Sequence, residues 1–181
     1  MRNKVSHIYR VPLLLSVTFI IALIALRVER DYLNIAQIIL GGLTGTFLLD
    51  LDYLLHAFFI DPTSQISKKL AEYVKHKDYG GFLNFAQEHK YDIPDKTLNS
   101  ALFQVVLAAA GIFIVWSSPN IFMKALLLST LLNSIYRFIE SYVEGKSAVW
   151  FWSLKIDQRK SAIFTYGGLI IALFTVLMIF A

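Results

Sequence analysis

Apolar residues run along this chain in long blocks, roughly 8–26, 33–60, 98–117, 120–142 and 161–181, separated by polar stretches. Each block is near the ~20 residues that a helix needs to cross a hydrocarbon core. Blocks of that length, without a sustained two-residue alternation, predict helices in an apolar medium. The expected fold is all-α: a polytopic membrane helical bundle of five transmembrane helices, forming a single membrane domain over 1–181. Two connections are short enough to make antiparallel hairpins, Arg27 to Tyr32 and the turn Ser117-Ser118-Pro119-Asn120.

The stretch 61–97 is patterned differently. After the helix-start chemistry of Asp61-Pro62-Thr63-Ser64, residues Ile66, Leu70, Tyr73 and Val74 share one helical face, while Lys68, Lys69, Glu72 and Lys75 take the other. Gly80-Gly81 is expected to break this helix, and Phe82, Leu83, Phe85 and Ala86 to start a second one. The pattern predicts an amphipathic helical hairpin lying on the inner leaflet, with Trp150-Phe151-Trp152 as an aromatic anchor at the same interface.

Composition supports the membrane reading. Hydrophobic residues make up 56% of 181 and the mean hydropathy is +0.57, above the usual soluble domain. Charge then sets orientation. Three Lys or Arg lie in the N-terminal segment, six in 61–97 and four in 143–160, against three (Arg27, Arg30 and Lys124) on the opposite side. That bias puts the N-terminus and hairpin in the cytoplasm and the C-terminus outside an inner membrane. The basic N-terminus followed by an apolar run resembles a signal peptide, but no small-x-small cleavage site precedes Arg27, so an uncleaved first span is expected. The net charge of +4 is a topology signal and not a nucleic-acid footprint. Membrane lipids are the implied partners. Gly41, Gly42 and Gly45, with Gly167 and Gly168, form small-residue faces suited to close packing within the chain or to a homo-oligomer. No protein partner can be named.

Charged groups inside the apolar blocks are the candidate chemistry. Asp50, Asp52 and His56 fall in the second block, where a central Asp costs about 2.5–3.5 kcal/mol on insertion scales. Asp52 and His56 are four apart and share a face. Asp50 is turned about 200° from Asp52, so all three meet only if the helix bends or unwinds. The fourth block carries Asn133, Arg137, Glu140 and Glu144 at helical spacing. Arg137 can pair with Glu140, and it is the natural counter-charge for Asp50 or Asp52. With no cysteine, thiolate metal sites and disulfides are excluded. His7, His76 and His89 lie in places where a histidine is more often a surface residue than a ligand.

The run from Gly45 through Leu49-Asp50-Leu51-Asp52 to His56 resembles the first motif of the membrane-bound metal-dependent hydrolase family, the LexA-regulated inner-membrane hydrolase-like proteins. That family pairs an early Asp-x-Asp with a His-Arg-Gly-x-Thr-His-Ser motif opening the next span and a later Ser-His-Leu-x-x-Asp motif. Here Lys96-Thr97-Leu98-Asn99-Ser100-Ala101-Leu102-Phe103 and Leu132-Asn133-Ser134-Ile135-Tyr136-Arg137 stand at those positions. Asn99 and Asn133 replace histidines, and Arg137 replaces an aspartate. The resemblance implies two states. In one, Asp50, Asp52 and His56 hold a divalent metal, zinc or manganese, that activates water against a lipid-linked or membrane-proximal substrate. In the other, the metal site has become a salt bridge and the protein is a non-catalytic relative without a cofactor, since Asn is a poor transition-metal ligand and Arg supplies the missing positive charge. The residues favour the second. No Ser-His-Asp or P-loop spacing is present; five helices without inverted repeats are few for a monomeric carrier, which leaves a small oligomeric transporter as a third, less favoured reading.

Overall fold

The computed structural model describes residues 9–27, 30–93, 97–117, 120–151, 166–170 and 173. Among these the chain is all helical. Helix α1 spans Arg10–Arg27 and α2 Tyr32–Leu48; α3, Leu51–Leu55, continues through a π turn at His56–Ile60. Then follow α4, Gln65–Lys75; α5, Tyr79–Glu88; α6, Ala101–Ser117; α7, Ile121–Val143; and a 3-10 turn at Ser147–Phe151. Most of the expected fifth span lies outside the described residues, as do His7 and Trp152; residues 166–170 are helical.

One described helix, Ile121–Val143, is by itself long and apolar enough to cross a membrane. The pair Tyr32–Leu48 and Leu51–Ile60 passes the same test jointly, with a 45° bend between its halves, while Arg10–Leu26 and Ala101–Ser117 are shorter apolar helices. The bend falls at Leu49-Asp50, the first half of the Asp-x-Asp run.

Helix α7 is the axis of the bundle. Helix α2 packs against it so closely that a Cβ at Gly41 would stand 2.5 Å from the Phe122 carbonyl oxygen, and one at Gly45 2.5 Å from that of Leu126. A Cβ at Gly42 would meet the Ile20 side chain of α1. The glycine face of α2 is therefore spent on packing within the chain. A Cβ at Gly167 or Gly168 meets nothing within 4 Å. Buried hydroxyls and amides join the helices where the backbones approach. Thr46 donates to Ser16 (2.6 Å), Ser129 to the Gly42 carbonyl (2.7 Å), and Asn133 Nδ2 to Ser16 and to the Ser129 carbonyl (both 2.9 Å). Gln104 of α6 reaches the Ser134 hydroxyl and carbonyl of α7.

Helices α4 and α5 form the expected hairpin, capped by Ser64 and Asp78. The break between them is not at Gly80-Gly81, which lie in the first turn of α5, but at Lys77, whose φ of 56° ends α4. Gly81 is required instead by its approach to the Tyr73 ring. The apolar face of the hairpin turns toward the chain. Leu70, Phe82, Ala86 and Ile93 bury against Tyr53 of α3 and Ala57 of the π turn after it. An amphipathic stripe cannot by itself distinguish lipid from protein as its apolar partner, and here protein takes it. Trp150 and Phe151 likewise are not an exposed anchor. Both are 4% exposed and meet the Phe138 ring edge-on.

Candidate functional site

The bend at Leu49-Asp50 sends the two aspartates to different partners. Asp50 accepts from Arg137 Nη2 at 2.8 Å and from the Tyr9 hydroxyl at 2.7 Å, and the Arg137 and Asp50 side chains are 12% and 9% exposed. Of the two aspartates expected to take Arg137 as counter-charge, Asp50 is the one that does. Asp52, 1% exposed, receives four N–H donors. The backbone amides of Thr97 and Leu98 bind Oδ1, and the backbone and side-chain amides of Asn99 bind Oδ2, all between 2.9 and 3.1 Å. These donors stand just ahead of α6. Asp52 is a carboxylate held in a nest of backbone amides, an arrangement that stabilises negative charge without a cation.

Asn99 links the two halves. Its amide donates to Asp52 and to the Leu49 carbonyl (3.1 Å), and its oxygen accepts from Arg137 Nη1 at 3.4 Å. A continuous path of polar contacts runs Tyr9–Asp50–Arg137–Asn99–Asp52. Three of the motif regions therefore converge through Asp50, Asp52, Asn99 and Arg137.

The other candidates go elsewhere. Asn133 lies one helical turn deeper than Arg137 and joins the Ser16 and Ser129 network. His56 is 2% exposed, its Nδ1 has no hydrogen-bond partner, and among the described residues no hydrogen bond or ion pair ties it to either aspartate. Glu140 does not pair with Arg137. It binds Lys90 at 3.2 Å, with Glu144 on the same ammonium at 3.5 Å. Burial, the largest single influence, would lower the Lys90 pKa, but Glu140 and the Tyr91 hydroxyl together outweigh it and hold it above the ordinary lysine range. Glu144 is held below the ordinary glutamate range, first by the Tyr91 hydroxyl and then, against some burial, by Lys90.

The three-ligand metal site does not fit this arrangement. Among the described residues no three His, Asp or Glu side chains gather closely enough to hold an ion. Asp50 faces a guanidinium and both Asp52 oxygens are engaged.

Above the cluster lies a cleft of about 540 Å³ between the start of α1, helix α5, the loop after it and the hairpin end of α7. Arg137 and Asn99 line its base, and Lys90 and Glu140 one side. Its walls carry five aromatic residues, Tyr9, Tyr53, Tyr91, Tyr136 and Trp150. Trp150 donates to Ser141 (2.8 Å), which donates to the Arg137 carbonyl (2.9 Å). The Tyr91 ring lies beneath the ammonium groups of Lys146 (4.3 Å) and Lys90 (4.8 Å). Tyr9, Tyr91 and Lys90 carry no pattern signal in the sequence: each is an ordinary interfacial residue until the hairpin folds back onto α7. Comparison with family models, with curated proteins and with solved structures finds no match for this chain.

Proposed function

We propose that this chain is an integral protein of the cytoplasmic membrane with five spans, related to the membrane-bound metal-dependent hydrolases but non-catalytic, its metal position rebuilt as an ion-pair cluster. The carrying observation is the Arg137–Asp50 pair at 2.8 Å beside an Asp52 whose four donors are all amide N–H groups. In such a site the positive charge comes from the protein itself. The membrane assignment draws on the apolar exterior: Leu33, Phe113 and Trp116 are 72%, 70% and 83% exposed, a surface that water disfavours and lipid accepts. The charge bias of the loops supports a cytoplasmic N-terminus and an external C-terminus. Membrane lipids are the immediate surroundings of such a protein, and its function is binding, centred on the cleft.

Elemental analysis of the purified protein tests this reading. Sub-stoichiometric zinc and manganese, unchanged in Asp52→Ala, are expected. Stoichiometric metal that Asp52→Ala releases would replace it with the hydrolase reading, in which Asp50, Asp52 and His56 are ligands.

A further inference from the structure

We propose that the cleft above Arg137 is a binding site for a neutral, hydroxyl-rich group, a glycosyl or polyol moiety, borne on a membrane lipid or free. The inference deepens the binding role proposed above and specifies its ligand class. Charge is the first argument. Four charged side chains line the cleft, Arg137 and Lys90 against Glu88 and Glu140. The cations are already engaged, Arg137 by Asp50 and Lys90 by Glu140 and Glu144. An anionic ligand would compete with Asp50, Glu140 and Glu144 for these cations, and a cationic one would compete with Lys90 for its carboxylates. Breaking one side of a buried pair is strongly unfavourable. A hydroxyl group needs neither displacement, because one O–H donor and two lone pairs let it bridge a carboxylate and an N–H on the same wall.

The lining chemistry is the second argument. Asn84 and Gln87 bring amides to the cleft, and the Asn84 oxygen is buried without a partner. Such an acceptor is completed by a donor group. Tyr136 and Tyr91 offer aromatic surface, which packs against the C–H faces of a sugar ring while hydroxyls turn to the amides. The volume of about 540 Å³ falls in the range of small-ligand sites. Val11 and Pro12 form an apolar lip where the cleft meets the outer face of α1, and Val11 is 43% exposed. An acyl-anchored head group could enter there with its chains left outside.

Full-length protein carrying Trp116→Phe and Trp152→Phe retains Trp150 as the single tryptophan reporter beside the cleft. Purified in the sugar-free detergent lauryldimethylamine oxide, it is titrated with methyl glucoside and with maltose. In phosphatidylcholine nanodiscs it is titrated with monoglucosyl diacylglycerol. Phosphatidic acid and inorganic phosphate are the anionic comparisons. A saturable change in Trp150 emission is expected with at least one glycoside. Saturation by the glycolipid alone identifies a lipid-borne ligand, and saturation by maltose or methyl glucoside a free one. Tyr136→Ala and Gln87→Ala should each weaken binding by about tenfold or more, with Tyr136→Phe within about threefold of the parent, as loss of a stacking face or an amide requires. Gln87→Ala carries the test alone if Tyr136→Ala melts early. No saturation by any glycoside, tighter saturation by phosphatidic acid or phosphate, or binding indifferent to Gln87→Ala would overturn the proposal. The metal content of the same preparation is read separately, so the two readings fail independently.

Discussion

Replacing Arg137 by methionine isolates the ion pair that organises the site. In the native chain Asp50 has two partners, Arg137 at 2.8 Å and the Tyr9 hydroxyl at 2.7 Å, and its side chain is only 9% exposed. Arg137→Met leaves the carboxylate with the tyrosine alone and removes the donor to Asn99. Loss of one partner from a buried pair typically costs about 3–5 kcal/mol, and the low exposure of both side chains places this pair in that range. The second substitution discriminates. Arg137→Met with Asp50→Leu removes both charges from one contact and should recover most of the loss, giving a coupling of about 2–3 kcal/mol in a double-mutant cycle. Arg137→Met with Asp52→Leu should recover nothing, because Asp52 is held by Thr97, Leu98 and Asn99 and its removal strands their N–H groups. Unfolding in graded sodium dodecyl sulfate from mild micelles, followed by tryptophan fluorescence, measures all variants on one scale. If the Asp50→Leu double variant is no more stable than Arg137→Met alone, Arg137 is not compensating Asp50 and the reasoning fails.

Three further outcomes follow from individual contacts. Asp52→Asn should destabilise by about 2 kcal/mol or more, since an amide nitrogen must then face at least one of four N–H donors, and hydrogen exchange at Thr97 and Leu98 should accelerate. Gly45→Ala should cost about 1–3 kcal/mol through the collision with the Leu126 carbonyl and Ser129, while Gly167→Ala, which meets nothing, should leave the melting midpoint unchanged. Lys90→Met should cost no more than about 1 kcal/mol at neutral pH, because Glu140 and Glu144 are more than a third exposed, and salt should shrink the effect. A raised Lys90 stabilises the fold below the ordinary lysine range, and that contribution is lost as pH rises above it. A lowered Glu144 stabilises above the ordinary glutamate range and loses its contribution as pH falls below it, so the wild-type advantage over Lys90→Met should fade at both extremes.

The part of this site that was legible in the sequence is the part governed by charge. Two aspartates in an apolar run demand compensation, and Arg137 was the only Lys or Arg deep enough in a block to supply it, so their proximity could be read without coordinates. Which aspartate it meets could not. That depends on the 45° bend at Leu49-Asp50, which separates residues a straight helix would have placed about 200° apart. Helical spacing grouped Asn133 with Arg137 correctly as neighbours on one face. Depth then separated them, because α1 covers that face at the level of Asn133, while the Asp50 and Asn99 region covers it one turn later. Glu140 stands three residues from Arg137 and so invited an intrahelical pair, but a guanidinium already held by Asp50 leaves Glu140 to the hairpin's Lys90.

That division of labour gives the Asp-x-Asp run a structural role of its own. Asp50 fixes α7 through Arg137 and the entrance of α1 through Tyr9. Two residues on, Asp52 fixes the exit of the hairpin at the start of α6 through backbone amides. The Asp-x-Asp run thereby ties the entrance of α1, helix α7 and the start of α6 together at the base of the cleft. Metal coordination would achieve the same convergence by drawing ligands from separate helices onto one ion. Here a guanidinium and a nest of amides do so. The cleft above them has two cations and two carboxylates on its lining, aromatic walls and an apolar lip, the properties on which the proposed binding of a polar head group rests.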